Sequence, residues 1–65
     1  MNIIVNGENR ELSERCSLEE ALEIFAKQSP FVVMLNQEFI PKSQYSQWGL
    51  NEDDELDIIV AIQGG

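Results

Sequence analysis

One helical pattern limits what the rest of this 65-residue chain can form. Its apolar residues recur at positions i, i+3, i+4 and i+7 and so lie on one side of a helix. They are Leu18, Ala21, Leu22 and Phe25. Ser17 precedes them and Glu20 follows Ser17 by three residues, which is the spacing of a capping box. A helix with one apolar side has to bury that side against another layer, so the remaining residues must supply that layer.

The helix is expected to begin after Ser17 and to end near Gln28. Pro30 sets this limit, because proline disfavours helical geometry at the preceding residue, Ser29. Cys16 stands just before the cap. We interpret it as a small buried apolar residue and rank a reactive thiol as the less favoured alternative.

Strand patterns precede the helix. Residues 1–6 have the alternation of a strand. Met1, Ile3 and Val5 lie on one face, and the residues between them lie on the other. Asn6-Gly7 then predicts a tight turn, because both residues tolerate positive φ. Residues 9–13 can run back as a second strand, which completes a β-hairpin and directs Leu12 inward.

Further strand patterns follow the helix. Residues 31–35 form a continuous apolar run, which predicts a strand covered on both faces or lying centrally in the sheet. After an Asn36-Gln37 turn, residues 38–40 form a short strand stopped by Pro41. Residues 42–50 lack a long period and predict a helical turn or an irregular loop, with Trp48 or Leu50 under the core. An acidic turn at residues 52–55 leads to a closing strand over residues 56–62.

The closing strand has two different faces. Its core face is expected to carry every second residue: Leu56, Ile58, Val60 and Ile62. Ile59 and Ala61 then face outward beside Glu55 and Asp57, unless both faces of this strand are covered. This order of elements predicts an α+β fold in which a mixed sheet of four to five strands packs on one main helix.

The composition excludes several classes of function. Twelve acidic and four basic residues give a formal net charge of −8, which disfavours nucleic acids and anionic membrane surfaces as partners. This charge favours a partner with a basic docking face, although solubility alone explains it equally well. One cysteine and no histidine exclude an internal disulfide, a cysteine metal cluster and the usual general base. We expect no bound metal or cofactor and no catalysis by this chain itself.

Two further features have structural interpretations. No stretch approaches the length of a membrane span or resembles a secretion signal, so a cytoplasmic protein is expected. Phe39, Tyr45 and Trp48 are residue types found at interfaces, but core packing is the preferred interpretation in a domain this small.

Gly64-Gly65 is the strongest functional signal. These residues follow the closing strand directly, so we expect a folded domain over residues 1–62 and a flexible tail, residues 63–65, ending in a free carboxylate. Glycine lacks a Cβ, which makes such a tail thin enough to enter the active site of another protein. An ordinary frayed terminus is the alternative.

The element order and the tail together resemble the β-grasp sulfur carriers of the ThiS/MoaD type, and most closely the ThiS-type carriers of thiamine biosynthesis. The resemblance covers essentially the whole chain. It includes the Asn6-Gly7 turn, the helix start at residues 17–22, Asn36 followed by Ile40-Pro41, the acidic turn, and residues 61–65. It implies a ubiquitin-like β-grasp fold.

The resemblance also implies a carrier cycle. An E1-like adenylating enzyme of the ThiF type would use ATP to activate the Gly65 carboxylate. A sulfur donor system would convert it to a thiocarboxylate, and a ThiG-type thiazole synthase would take the sulfur. Because the chain supplies neither a phosphate-binding loop nor a base, it would be the substrate of this chemistry and not its catalyst.

Tail length predicts where partners touch the domain. Gln63 to Gly65 span at most roughly 10 Å, so an enzyme that reaches the carboxylate must also contact the nearby body of the domain. We therefore expect Gly64 and Gln63 to enter partner active sites and Ile59 and Ala61 to contribute to docking. Three alternatives remain: a molybdopterin-type sulfur carrier, a ubiquitin-like protein modifier, and an interaction domain with an incidental Gly-Gly end.

Overall fold

The computed structural model describes residues 1–26 and 30–60, which form a five-stranded sheet and one α-helix. The elements in chain order are β1 (Asn2–Val5), β2 (Glu8–Glu11), α1 (Leu18–Phe25), β3 (Phe31–Leu35), β4 (Glu38–Ile40), a 3₁₀ helix (Lys42–Gln47) and β5 (Glu55–Val60). The strand order across the sheet is β2-β1-β5-β3-β4. β1 and β5 are parallel and the other pairs are antiparallel. The predicted mixed sheet packed on one helix is confirmed.

Two tight turns build the outer hairpins. Asn6 and Gly7 have φ values of 50° and 83°, and Asn36 and Gln37 have φ values of 51° and 70°. Positive φ at both central residues is what a two-residue type I′ hairpin turn requires. Both turns were predicted at these positions.

The two asparagines also hold the central strand. The Oδ1 atom of Asn6 accepts a hydrogen bond from the Ile58 amide at 2.8 Å. The Oδ1 atom of Asn36 accepts one from the Glu55 amide at 2.9 Å. Each turn therefore ties its own hairpin to β5, which lies between the two hairpins.

The helix begins as predicted. The Ser17 hydroxyl accepts from the Glu20 amide at 3.1 Å, and the Glu20 carboxylate accepts from the Ser17 amide at 3.0 Å. Its end differs from the prediction, because α1 stops at Phe25 and Ala26 already has extended geometry. Pro30 restricts only the residue before it, so it limits how far a helix could reach without fixing where the helix ends. Gln28 lies outside the described residues.

The core lies between α1 and one face of the sheet. Its members are the residues with the least solvent exposure: Ile3, Val5, Leu12, Cys16, Leu18, Ala21, Leu22, Val33, Leu35, Ile40, Leu50, Leu56 and Ile58. Burial and the nearby Glu20 carboxylate raise the pKa of the Cys16 thiol, which supports the interpretation of Cys16 as a packing residue. Among the described residues no helix is long and apolar enough to cross a membrane.

The segment between β4 and β5 packs beside the helix start. The Leu18 amide donates to the Trp48 carbonyl at 2.9 Å, and the Leu50 amide donates to the Cys16 carbonyl at 3.1 Å. Leu50 is buried and Trp48 is half-buried, as predicted. These bonds fix the segment against the N-terminus of α1.

β3 lies inside the sheet, between β5 and β4, which is one of the two predicted placements; it is not covered on both faces, since Val32 is 44% exposed. Two burial predictions were wrong. Phe39 is 58% exposed instead of packed in the core, because it lies on the uncovered face of the edge strand β4. Val60 is 38% exposed on the core side. An eight-residue helix is only about 12 Å long, whereas a six-residue strand is about 20 Å long, so α1 leaves one end of β5 uncovered.

Candidate functional site

The face of the sheet opposite α1 carries an apolar cluster. We call this cluster the outer patch, and its four members are Val32, Met34, Phe39 and Ile59. Val32 is paired with Ile59 across β3 and β5, and Met34 is paired with Phe39 across β3 and β4. Cross-strand partners on one face lie about 5 Å apart, so the four side chains form one continuous surface.

Solvent reaches most of the outer patch. Ile59 is 50% exposed and Met34 is half-buried, while Val32 and Phe39 are exposed as given above. Isolated exposed apolar side chains are common, but neighbouring ones on adjacent strands are typical of a surface that binds another protein.

Acidic side chains border this surface. Asp57 pairs with Met34 and is half-buried, and Glu55 lies two residues further from the tail on the same face of β5. An apolar centre with a charged rim is the usual composition of a protein–protein interface. This acidic rim is complementary in charge to a partner surface that has basic residues around an apolar centre.

The structure places Ile59 on this outward face, as predicted. It is one residue from Val60, the last described residue, so the outer patch extends to the described end of β5. Ala61, Gln63, Gly64 and Gly65 lie outside the described residues, as does Ile62. The tail itself is therefore a prediction from the sequence.

Three members of the outer patch were missed by the sequence analysis. Val32 and Met34 lie in an apolar run that was interpreted as covered on both faces or central in the sheet, and Phe39 was assigned to the core. The sequence did show that these residues occupy alternate positions along β3 and β4, which would place them on one face of the sheet. Recognising them also required knowing that β3 pairs with β5 through Ile59.

The four side chains of the outer patch are apolar. Within residues 1–26 and 30–60, no group of three or more acidic or cysteine side chains is placed to hold a metal ion. In the same part of the chain, burial raises the pKa of the Cys16 thiol and of the Tyr45 hydroxyl. Both groups lie outside the outer patch.

Comparisons with known proteins identify the family. A sequence model of the ThiS family matches residues 3–65, which is nearly the whole chain and includes its Gly-Gly end. The chain belongs to the ThiS family. The family assignment confirms the resemblance found in the sequence.

Two relatives of this ThiS-family chain are informative. A crystal structure of the thiamine biosynthesis protein ThiS from Geobacter metallireducens superposes with a TM-score of 0.84 over the full length of both chains, at 23% identity. At this identity the likeness shows the fold alone, and it confirms the β-grasp prediction. A thiazole synthase from Paramagnetospirillum magneticum is 36% identical over 66 residues. The match includes all of this chain but only 20% of the relative, so the chain spans about one fifth of that protein's length.

Proposed function

We propose that this chain is the sulfur carrier for thiazole formation in thiamine biosynthesis, and that Gly65 carries the sulfur. The observation that supports the proposal most strongly is the ThiS family match, which extends through Gly64 and Gly65. A fold match alone would not support it, because β-grasp domains serve several functions.

The proposed chemistry begins with activation of the tail. A carboxylate resists nucleophiles because it is already anionic. In the first step an oxygen of the Gly65 carboxylate attacks the α-phosphorus of ATP, and pyrophosphate leaves. In the second step hydrosulfide from the sulfur donor system attacks the carbonyl carbon of the acyl-adenylate, and AMP leaves. The product is a thiocarboxylate, whose sulfur is then available for transfer.

Two enzymes are the proposed partners. One is an E1-like, ThiF-type enzyme that binds ATP and forms the adenylate, so this chain needs no cofactor. The other is a ThiG-type thiazole synthase, and the relative named thiazole synthase supports it because a sequence similar to this whole chain occurs within that protein. Since the cycle consumes ATP, we propose that it takes place in the cytoplasm.

The outer patch is the proposed docking surface for these enzymes. The five residues after Val60 span at most about 17 Å when extended, so an enzyme holding the Gly65 carboxylate must lie against the nearby body of the domain. Ile59 is the member of the outer patch nearest the tail in sequence. With Ala61, it forms the docking pair predicted from the sequence.

Intact mass measurement tests the proposal. The chain is incubated with ATP, a sulfur source and the adenylating enzyme of the same organism, identified by ATP–pyrophosphate exchange that depends on this chain. We expect one oxygen of the protein to be replaced by sulfur, and we expect no change in a variant that lacks Gly65. Formation of a lysine conjugate would instead support a protein modifier. An equal change in mass of the natural chain and of the variant lacking Gly65 would contradict a role for the tail.

A further inference from the structure

A second surface lies beside the end of β5, on the helix side of the sheet. It is a groove of about 230 Å³ lined by Pro30, Phe31, Lys42 and Tyr45. Phe31 and Tyr45 form one wall as a stacked pair, with ring centroids 6.3 Å apart and an interplanar angle of 9°. The groove is smaller than typical small-molecule sites, which start at about 300 Å³, so its size suits a single side chain.

The groove is adjacent to the end of β5. Phe31 is the cross-strand partner of Val60, and antiparallel partners have Cα atoms about 5 Å apart. Val60 is partly exposed on this same side of the sheet, whereas Ile59 faces the outer patch. An enzyme that surrounds the chain just after Val60 therefore meets both surfaces, one on each side of the sheet.

The charge of the groove is opposite to that of the chain. The described side chains that are cationic at neutral pH are Arg10, Arg15 and Lys42, in a chain of net charge −8. Arg10 is paired with Glu8 at 3.0 Å. Within residues 1–26 and 30–60, Lys42 has no carboxylate at ion-pair distance. The groove thus combines two aromatic rings with one exposed ammonium group.

We propose that this groove binds one aspartate or glutamate side chain of the adenylating enzyme. The carboxylate pairs with the Lys42 ammonium group, and the methylene groups of the same side chain pack against Phe31 and Tyr45. The proposal rests on the proposed function, since it requires an enzyme that takes the tail. At the groove the carrier is positively charged, whereas the rim of the outer patch is negatively charged. Two contacts of opposite charge fix the orientation of the carrier at the active-site entrance.

Two variants with the same change in charge test this contact. Lys42→Gln and Gln47→Glu each make the net charge of −8 more negative by one unit, and both positions are exposed in the same 3₁₀ helix. Only Lys42 lines the groove. In ATP–pyrophosphate exchange at low salt, we expect Lys42→Gln to raise the KM for the carrier about tenfold, as for a partly desolvated charge pair, with kcat unchanged. This difference in KM between Lys42→Gln and the natural chain should become smaller at high salt. The KM for Gln47→Glu should remain within about twofold of the KM for the natural chain, as for a rim charge.

The outcomes separate the two proposals. Equal KM values for the two variants, with a natural chain that is adenylated normally, would overturn the groove contact and leave the proposed function intact. A lower KM for Lys42→Gln would overturn the contact too, because it would mean that the groove holds the chain's own terminal carboxylate. A natural chain that never supports exchange would overturn both proposals.

A charge swap identifies the partner residue. Lys42→Glu should be adenylated poorly, and replacing one acidic residue of the enzyme with lysine should restore its KM while impairing the natural chain. Direct pairing would be contradicted if no acidic-to-lysine replacement near the enzyme's tail channel restored the KM of Lys42→Glu.

Discussion

At the scale of single residues, Ile59 connects the fold to the proposed function. Strand alternation directs its side chain away from the core while Ile58 faces inward. Burying a half-exposed isoleucine on docking would contribute on the order of 1 kcal/mol from the apolar area removed from water. A charge at the same position would lose this contribution and would also be desolvated in the interface.

Ile59→Asp is therefore expected to abolish adenylation while leaving the domain folded. We expect kcat/KM in ATP–pyrophosphate exchange to fall at least about a hundredfold, as at an interface hot spot. Circular dichroism should show an intact fold, because the replaced side chain is not part of the core.

Ile24→Asp is the matched control. Ile24 is also 50% exposed, but it lies on α1 and outside the outer patch. It receives the same substitution at the same exposure, so it should retain adenylation. Normal turnover by the Ile59 variant would contradict docking through the outer patch, and equal loss in both variants would indicate a general effect of the new charge.

At the scale of elements, the two hairpins use the same turn geometry with different residues. Asn6-Gly7 places glycine at the second central position, whereas Asn36-Gln37 places glutamine there at a φ of 70°. A residue with a Cβ is strained in this left-handed region by about 1–2 kcal/mol, and glycine is not. At the second central position the Asn36-Gln37 turn is therefore strained, whereas the Asn6-Gly7 turn is not.

Exchanging these residues should change stability in opposite directions. We expect Gln37→Gly to raise the free energy of unfolding by about 1 kcal/mol and Gly7→Gln to lower it by about 1–2 kcal/mol. A Cβ at Gly7 would meet no atom within 4 Å, so its cost comes from backbone conformation and not from a clash. Urea denaturation followed by circular dichroism measures both changes.

Gln47→Gly serves as the control for glycine itself. Gln47 is exposed and lies in the 3₁₀ helix, outside the positive-φ positions. Glycine there should destabilise the domain, because it only increases the freedom of the unfolded chain. If Gln37→Gly is destabilising as well, strain at this turn is not significant.

The same elements show how far the sequence can predict this fold. The capping box at Ser17 and the turn at Asn6 are local patterns, and both are confirmed. The parallel pairing of β1 with β5 joins segments about fifty residues apart, and no local pattern specifies it. The outer patch depends on such pairings, so Phe39 could be placed only when its neighbours across the sheet were known.

At the scale of the whole molecule, two surfaces adjoin the end of β5. The outer patch lies on one side of the sheet there and the groove of Phe31 and Lys42 on the other. Both proposed enzymes must hold the same terminal carboxylate, and the tail is too short to keep either enzyme away from the domain. The adenylating enzyme and the thiazole synthase therefore have to occupy overlapping surfaces in succession.

Mutually exclusive binding is the expected result. Thiazole synthase without its small-molecule substrates should inhibit adenylation competitively, raising the apparent KM for the carrier without changing kcat, because it sequesters free carrier. A carrier lacking Gly65 retains the outer patch, so it should itself inhibit adenylation of the natural chain by occupying the adenylating enzyme. Ile59→Asp introduced into that truncated carrier should remove this inhibition. A complex in which a single carrier joins both enzymes, detected by sedimentation at fixed stoichiometry, would contradict the model. In that case the two enzymes would recognise separate parts of the domain, and sulfur transfer could proceed without release of the carrier.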